Sequence, residues 1–555
     1  MRPRRLLLPT LLVTLLSVGA TAQQAPPSGA AAITESDLKQ WLTYLASDEL
    51  QGRATYTEGL GIAAGYIAAH LQGWGVKPAG DGGTYLQTVR VRSIRTNSKA
   101  SITVNVNGES RTFRDGEAIA FSKQMGGKQT IDGKDVVFVG YGLQIPAAEL
   151  DDYGELAPKG KVIVYLGPQG PSTLPQGFGR LLSARGRNAI EQGAAAVIAP
   201  ASGSGGSRGR GAAPTPAQQP TGRGGRAQAD NGDFTTVQRY EDIVTPQVTA
   251  QDEFFEFLFS GAEVKYADLK EKAAKREALP RFPLNGVKMT ITVDADYDVV
   301  RTRLTSNVVG IVEGSDPKLK DTYVAYGAHY DHTGFRDGAK PGEDAIYNGA
   351  DDDGSGTVAI MAIAKAFATG PKPQRSLLFV WHAGEENGLL GSEYMADYPV
   401  VGDINKIVTQ LNMDMVGRNQ NDDPANANMV LVVGSDRIST ELHNTNEEAN
   451  ASLAKPLTLD YSMNDPADPQ SIYTRSDHYS YAAKGVPIVF YFTGLHPDYH
   501  RPSDTVDKIL FDKVQRIAQL AYETGRRIAN SDKAPVKDNL GPRAGKGHKG
   551  KLAGK

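Results

Sequence analysis

TYVAYGAHYD, residues 322–331, sets the frame in which the rest of the chain is read. Its first part, Thr322–Tyr326, is a short apolar run of the length and composition of a buried strand, and it delivers His329, Tyr330 and Asp331 at its end. The same grammar recurs. Ser376–Trp381 leads into Glu385 and Glu386, and Ile407–Leu411 into Asn412, Met413 and Asp414. Pro487–Phe492 leads through a short loop into Tyr499 and His500. A fifth cluster, Asp351-Asp352-Asp353, precedes Ser355–Ala368, a helix with Val358, Ile360, Met361 and Ile363 available for burial. Strands alternating with helices predict an α/β fold, a sheet covered on both faces. In such a sheet ligands bind beyond the carboxyl ends of the strands, so the five clusters are expected to converge there.

The residue types suit a metal. The 555 residues include no cysteine, which removes disulfides, thiolate zinc sites and cysteine nucleophiles, so any metal must be held by His, Asp and Glu. Zinc accepts imidazole and carboxylate, and a catalytic site keeps a position open for water. Two ions about 3.5–4 Å apart need a bridging carboxylate. Asp331, two residues after His329, is placed to accept a hydrogen bond from its imidazole. Adjacent Glu385 and Glu386 divide two tasks: one ligates, and its neighbour takes a proton from the attacking water. Taken singly, these pieces have plainer readings. Three aspartates before a glycine also make a solvated turn or helix cap, and paired glutamates decorate exposed helices. A calcium loop fails, because that register puts Gly349 and Ile360 at the first and twelfth ligand positions. His329 with His332 hints at another hydrolase pattern, which Gly327 breaks. His70, His443 and His548 read as surface residues, and His382 and His496 as near-site residues. His478 reads as structural or substrate-facing. No His-Glu-x-x-His helix or Gly-x-Ser-x-Gly elbow occurs.

Outward from this core, the length calls for two or three domains. Arg2, Arg4 and Arg5, the apolar stretch Leu6–Ala20 and Ala20-Thr21-Ala22 form a signal-peptide pattern over residues 1–22, which predicts export to a periplasm or medium. No later segment is long and apolar enough to span a membrane. Residues 34–125 open with two helices, one carrying Leu38, Trp41, Leu42 and Leu45 behind Thr34 or Ser36, and one through Ile62, Tyr66, Ile67 and Leu71. Residues 126–285 read as a β-rich insert, with Val136–Val139 and Lys161–Leu166 as strands and an amphipathic helix near Phe254–Ala274. Within it, 201–232 is a low-complexity run expected to be a disordered loop. Residues 286–530 complete the catalytic domain, and 531–555 form a basic tail. The net charge of −3 selects neither nucleic acid nor an acidic surface.

Five strings in this order, GAHYDHTG (327–334), NGADDDGSG (348–356), GEENGLLGS (384–392), Asn412-Met413-Asp414 and YHRPSDT (499–505), resemble the co-catalytic di-zinc aminopeptidases. That family includes secreted bacterial leucyl aminopeptidases and glutamate carboxypeptidase II. LASDELQGR (45–53) is similar to bacterial members, and the insert resembles a protease-associated domain. The resemblance covers roughly residues 300–525. It implies a zinc-exopeptidase fold, a mixed phosphorylase/hydrolase-like sheet sandwiched by helices, and two Zn2+ ions per chain. One ion would take His329 and Asp414, the other Glu386 and His500, and Asp352 would bridge them. Glu385 would be the general base, and Tyr499 would bind the developing oxyanion. The implied reaction removes N-terminal residues from peptides with a free N-terminus. A carboxypeptidase of the glutamate-releasing type and a single-zinc glutaminyl cyclase are the alternatives, and Arg418, Arg475 and Arg501 are the candidates for holding a C-terminal carboxylate.

Overall fold

Tyr323–His329, with Val324, Ala325, Tyr326 and Ala328 all buried, lies at the middle of a ten-stranded mixed sheet. The computed structural model describes residues 29–145, 150–201 and 232–539. The expected leader, nearly all of the 201–232 loop, His548 and the tail beyond 539 lie outside them. Ser376–His382 and Ile407–Met413 flank the central strand, parallel to it on either side, and Ile488–Phe492 adds a fourth parallel strand. Every residue of Ser376–His382 and Ile407–Met413 is buried, as expected for strands covered on both faces. Antiparallel strands extend the sheet on both sides, Ala295–Val312 beside Ser376–His382 and Met429–Val433 beside Ile488–Phe492. The expected mixed α/β sheet is therefore what the chain forms.

Helices Glu35–Leu45, Glu58–Gly73, Gly356–Thr369 and Phe511–Ala529 contribute to the core on one face. Thr34 caps the first by accepting from Asp37 N at 3.2 Å, and the expected Leu38, Trp41, Leu42 and Leu45 are its buried residues. Gly356–Thr369 is apolar around most of its circumference and correspondingly buried, which fixes the end of the triple-aspartate segment against the sheet. Leu390–Asp397 and His478–Ala482 pack on the other face through Met395, Tyr481 and Ala482. No helix among the described residues is long and apolar enough to cross a membrane.

The chain leaves this sheet along Leu86–Ser98 and returns along Ala295–Val312, two long antiparallel partners paired from Leu86↔Val308 to Ser98↔Ala295 with one irregularity between Val299 and Arg301. Between them it builds a second, eight-stranded sheet. That sheet reaches past the expected 126–285 at both ends. Ser101–Val106, Glu109–Arg114 and Ile119–Phe121 belong to it, because Ser101–Val106 pairs with Phe282–Val293 and Ile119–Phe121 with Gln247–Ala250. Phe234–Thr236, by contrast, crosses back to pair with Leu86–Ser98 of the first sheet. The helix expected near 254–274 is two, Asp252–Leu258 and Tyr266–Ala274, separated by a turn that includes Ser260 and Gly261. The two regions touch around residues 467–470. Tyr141, Leu143, Ile145 and Leu181 pack with Ala467, and Arg180 donates to the Gln470 carbonyl at 3.2 Å.

Candidate metal centre

His329 is the last residue of the central strand, and Asp414 follows Ile407–Met413 directly. Parallel pairing brings their side chains side by side, His329 Nε2 lying 3.7 Å from Asp414 Oδ2. Glu385 and Glu386 come from the turn after Ser376–His382, and His500 from the loop after Ile488–Phe492. His500 holds a left-handed backbone, φ 55°, a conformation that non-glycine residues rarely adopt and that clusters at functional sites.

The structure separates the three aspartates by task. Gly349, at φ 57°, makes the entry turn, where a side chain would collide with the Asp352 carbonyl and the His332 ring. Asp351 N and Asp352 N donate to the Asp504 carboxylate. Asp351 accepts from Gly417 N at 2.6 Å and faces His496 at 3.3 Å. Asp353 accepts from the backbone of His329, Gly356 and Met415. Both are thus absorbed in holding neighbouring loops. Asp352 alone turns into the cleft, with Oδ1 3.3 Å from His329 Nε2 and Oδ2 3.0 Å from His500 Nε2. His500 Nε2 is also 3.2 Å from Glu386 Oε2.

His332, set aside on sequence grounds, lies in the same cluster. Its Nδ1 stands 2.8 Å from Glu386 Oε1 and 3.9 Å from Asp352 Oδ2. The Nδ1–Oε1 approach is not a hydrogen bond, and His332 Nδ1, Glu386 Oε1, Asp352 Oδ2 and His329 Nε2 are all buried without a hydrogen-bond partner. Buried polar atoms are almost always paired, so four orphans aimed at one another fit a cation. Two sets of donors stand within coordinating reach of a common point: His329, Asp352 and Asp414, and His332, Asp352 and Glu386. Imidazole and carboxylate donors without sulfur suit zinc. The sequence signal for His332 was its place three residues after His329. It was discounted because it belonged to a pattern the chain does not complete.

Asp331 acts differently from the expectation. His329 Nδ1 lies 3.1 Å from the Asp331 backbone carbonyl and 3.7 Å from its carboxylate, so the backbone is the nearer acceptor. The carboxylate instead accepts from Glu385 N at 3.1 Å and from the Thr55 hydroxyl at 3.1 Å, fixing the turn that carries Glu385. Arg53, from the LASDELQGR segment, is buried and donates to the carbonyls of Tyr330, Asn348, Gly349 and Leu45. It stitches the strand end to the aspartate turn. His382 faces Asp477 at 3.3 Å and the Tyr481 hydroxyl at 2.9 Å, as befits a near-site residue. His478 is buried, bonded to the Tyr473 carbonyl at 2.8 Å and stacked on Phe490. His443 is not a surface residue: it is buried, with Nδ1 3.0 Å from Ser435 Oγ.

Electrostatics distinguish the two glutamates. Burial, reinforced by Glu386, Asp414 and Asp477, holds the Glu385 carboxyl well above its usual range against the pull of His329. Burial would raise Glu386 too, but His500 and His332 facing it bring it down to about 2. The two adjacent carboxyls are thus driven in opposite directions, Glu385 toward holding a proton and Glu386 toward its charge. Asp352, Glu385, Asp414 and His500 line a small cleft of about 40 Å3 whose other wall is apolar: Met415, Ile472, Phe490, Phe492 and Leu495. Tyr499 and Arg475 complete its rim, the Arg475 Nη2 donating to the Tyr499 hydroxyl at 3.3 Å. Arg418, by contrast, is bound to Asp422 and Asp498.

The family model for peptidase family M28 matches residues 307–525, the stretch that supplies every one of these cluster residues. Residues 307–525 form an M28 domain. Over 232 residues the chain is 30% identical to a probable leucine aminopeptidase of Trichophyton verrucosum, covering 39% of this chain and 57% of the relative. Over 210 residues it is 31% identical to a probable leucine aminopeptidase 2 of Aspergillus oryzae, covering 38% and 37%. The match thus spans between about a third and little more than half of the length of these curated relatives. Among solved structures, an aminopeptidase from Aneurinibacillus sp. strain AM-1 aligns over 92% of this chain and 95% of its own, at 18% identity and a TM-score of 0.43. The insert and the N-terminal helices lie outside the M28 match.

Proposed function

We propose that the chain is an exported two-zinc exopeptidase that removes N-terminal residues from peptides. The observation that carries this reading is Asp352, whose two oxygens face two different histidines, His329 and His500, as a bridging carboxylate must. His329 and Asp414 would hold one ion, and Glu386 and His500 the other, with His332 beside the second. The ions, when bound, acidify water and polarise the scissile carbonyl. The chain's own groups do the rest. Glu385 Oε takes the proton of the attacking water and returns it to the leaving amine. The Tyr499 hydroxyl, at the rim, donates toward the oxygen on which charge develops. Glu385 and Asp414 offer carboxylates to a substrate ammonium, which favours a free N-terminus. The apolar wall of Ile472, Phe490, Phe492 and Leu495 would receive an apolar N-terminal side chain. The leader pattern at 1–22 supports export, and the second sheet is the part we assign to a protease-associated insert.

The test is Glu385→Gln. Zinc content should stay at two per chain while aminoacyl anilide turnover falls by about 10²–10⁴. Near-wild-type turnover would remove Glu385 from the reaction. A full complement of one zinc, with cyclisation of N-terminal glutamine in place of hydrolysis, would favour the glutaminyl cyclase reading.

A further inference from the structure

The two donor sets are unequal, and His332 makes the difference. In the second set His332 Nδ1 stands 2.8 Å from Glu386 Oε1 and 3.9 Å from Asp352 Oδ2. His500 Nε2 stands 3.0 Å from the same Asp352 Oδ2 and 3.2 Å from Glu386 Oε2. Ligand atoms on a zinc tetrahedron with bonds of about 2.0–2.1 Å lie about 3.3 Å apart, and these four spacings bracket that value. The two rings meet at 72° with centroids 5.7 Å apart, as two imidazoles serving one ion can. The fold holds the His332 ring in place. Its backbone N–H donates to the Arg53 carbonyl at 3.1 Å, and the ring lies over Gly349, where a Cβ would come within 2.6 Å of it. Yet both of its buried ring nitrogens lack a hydrogen-bond partner. A neutral imidazole has one acceptor nitrogen, and leaving it buried and unused is costly. The other buried histidines near the cleft are engaged with protein groups: His382 with Asp477 and Tyr481, His496 with Asp351, and His478 with the Tyr473 carbonyl. In the first set a single imidazole faces carboxylates only. His329 Nε2 is 3.3 Å from Asp352 Oδ1, 3.7 Å from Asp414 Oδ2 and 4.0 Å from Glu385 Oε2.

We propose that His332 Nδ1 ligates the second ion together with His500, Glu386 and Asp352, which makes the centre asymmetric in its choice of metal. The resemblance to the di-zinc aminopeptidases assigns five ligands, and His332 is not among them. With it, a pocket of two imidazoles and two carboxylates stands beside a pocket of one imidazole and carboxylates. Imidazole suits zinc, and carboxylate oxygen suits manganese as well. The second pocket therefore fills first and holds zinc, and the first pocket is the one that exchanges and accepts manganese. This inference rests on the two-ion reading, and its test separates the two.

The test loads the full-length chain with cobalt(II) and counts ligating imidazoles by proton NMR, as hyperfine-shifted N–H resonances that disappear in D2O. Three are expected, from His329, His332 and His500, and His332→Gln should remove one of them. A His332 that only orients Glu386 is not bonded to the ion, so two resonances, both kept in His332→Gln, overturn the ligation. The wild-type count needs no variant, so a misfolded His332→Gln would not spare the idea. Metal choice is read on the wild-type chain given one equivalent of zinc and one of manganese(II), added in either order. Isolated manganese spins at about one per chain, seen by electron paramagnetic resonance, are the expected result. Spin-coupled manganese pairs, the mark of chains that took manganese in both pockets, overturn the asymmetry. If the chain holds only one ion of any of these metals, the two-ion reading fails. The cobalt spectrum of that single ion then still decides the ligation: two imidazoles uphold it and one overturns it.

Discussion

Between Ala100 and Val293 the chain closes a core around Phe113, Phe138, Phe254, Phe255 and Ile291, and Arg185 is the one charged residue buried in that span among the described residues. The first sheet buries His329, Asp331, His332, Asp351, Asp352, Asp353, His382, Asp477, His496, Asp504, Arg53 and Lys513. Both regions are sheets with helices against them, and both have well-filled apolar interiors. What differs is the connection pattern. Parallel strands joined by crossovers bring several loop ends to one edge, and those loops can then crowd titratable groups that no solvated surface would hold together. Buried charge is costly unless paired or metal-bound, so its concentration in one of two similar cores marks the region kept for chemistry rather than stability.

The largest effect expected on that contrast comes from Arg53. Arg53→Met would leave the carbonyls of Tyr330, Asn348, Gly349 and Leu45 without their buried donor. We expect a loss of about 3–5 kcal/mol, as when one partner of a buried charged network is removed. The chain's three tryptophans, Trp41, Trp74 and Trp381, all lie in the first region, so their fluorescence during urea unfolding reports this loss directly. An unchanged midpoint would show that the stitch between strand end and aspartate turn is dispensable.

Phe254→Ala probes the other core. The ring is fully buried and packs 5.0 Å from Phe113 and 5.7 Å from Phe255. Its removal should cost about 3–4 kcal/mol of local stability. Amide exchange in strands Ser101–Val106 and Phe282–Val293 should accelerate, while zinc content holds and the tryptophan transition moves far less. A tryptophan transition shifted by the full amount would mean that the two cores unfold as one unit.

Lys513 tests whether buried charge in the first region weakens the fold. It is buried on helix Phe511–Ala529, donating to Asn419 Oδ1 at 2.8 Å and to the Asn426 carbonyl at 2.9 Å. Burial, opposed by Asp351, lowers its ammonium to about 8. An unfolded lysine titrates near 10.4. Between those values the folded chain has released a proton that the unfolded chain still holds, so the unfolded state binds more protons and stability rises with pH. The gain over Lys513→Met from pH 8 to 10.5 should approach at most about 3 kcal/mol. It is read as the difference in urea midpoints of the two proteins at each pH. Parallel pH profiles would show that Lys513 titrates normally.

The polar clusters were legible because each followed a buried-type strand. Tyr323–His329, Ser376–His382 and Ile407–Met413 fall within two or three residues of where composition places them. Asp352 could be chosen among three aspartates only by resemblance, since all three share one local pattern. Their separation depends on acceptor geometry around Asp504, Gly417 and Met415, residues far away in sequence. The long strands Leu86–Ser98 and Ala295–Val312 were hidden for another reason. Leu86–Ser98 alternates buried and outward residues, Arg90 and Arg92 among the latter, and Ala295–Val312 is largely exposed from Asp296 to Leu304, with Arg301 and Arg303, so no continuous apolar run marks their full length. The beginning of the second sheet was misplaced because Ser101–Val106 finds its partner about 180 residues later, a pairing that no local signal encodes.

His332 gives the smallest expected effect and the sharpest test of what the first region's buried charge is for. If it only fills space beside Glu386, replacing it should alter packing and leave the metals alone. If its unpaired Nδ1 faces the second ion or orients Glu386 toward it, His332→Ala should weaken that ion about 10–100-fold, about 1.4–2.7 kcal/mol, the usual cost of losing a group that positions a ligand. The His329 and Asp414 pocket, on the other side of Asp352, should keep its affinity. With two ions bound as proposed, zinc competition against a chromogenic chelator reads two affinities, and only one of them should move. Loss of both would point to collapse of the shared Asp352, and loss of neither would leave His332 as a packed imidazole whose two nitrogens the fold tolerates unpaired.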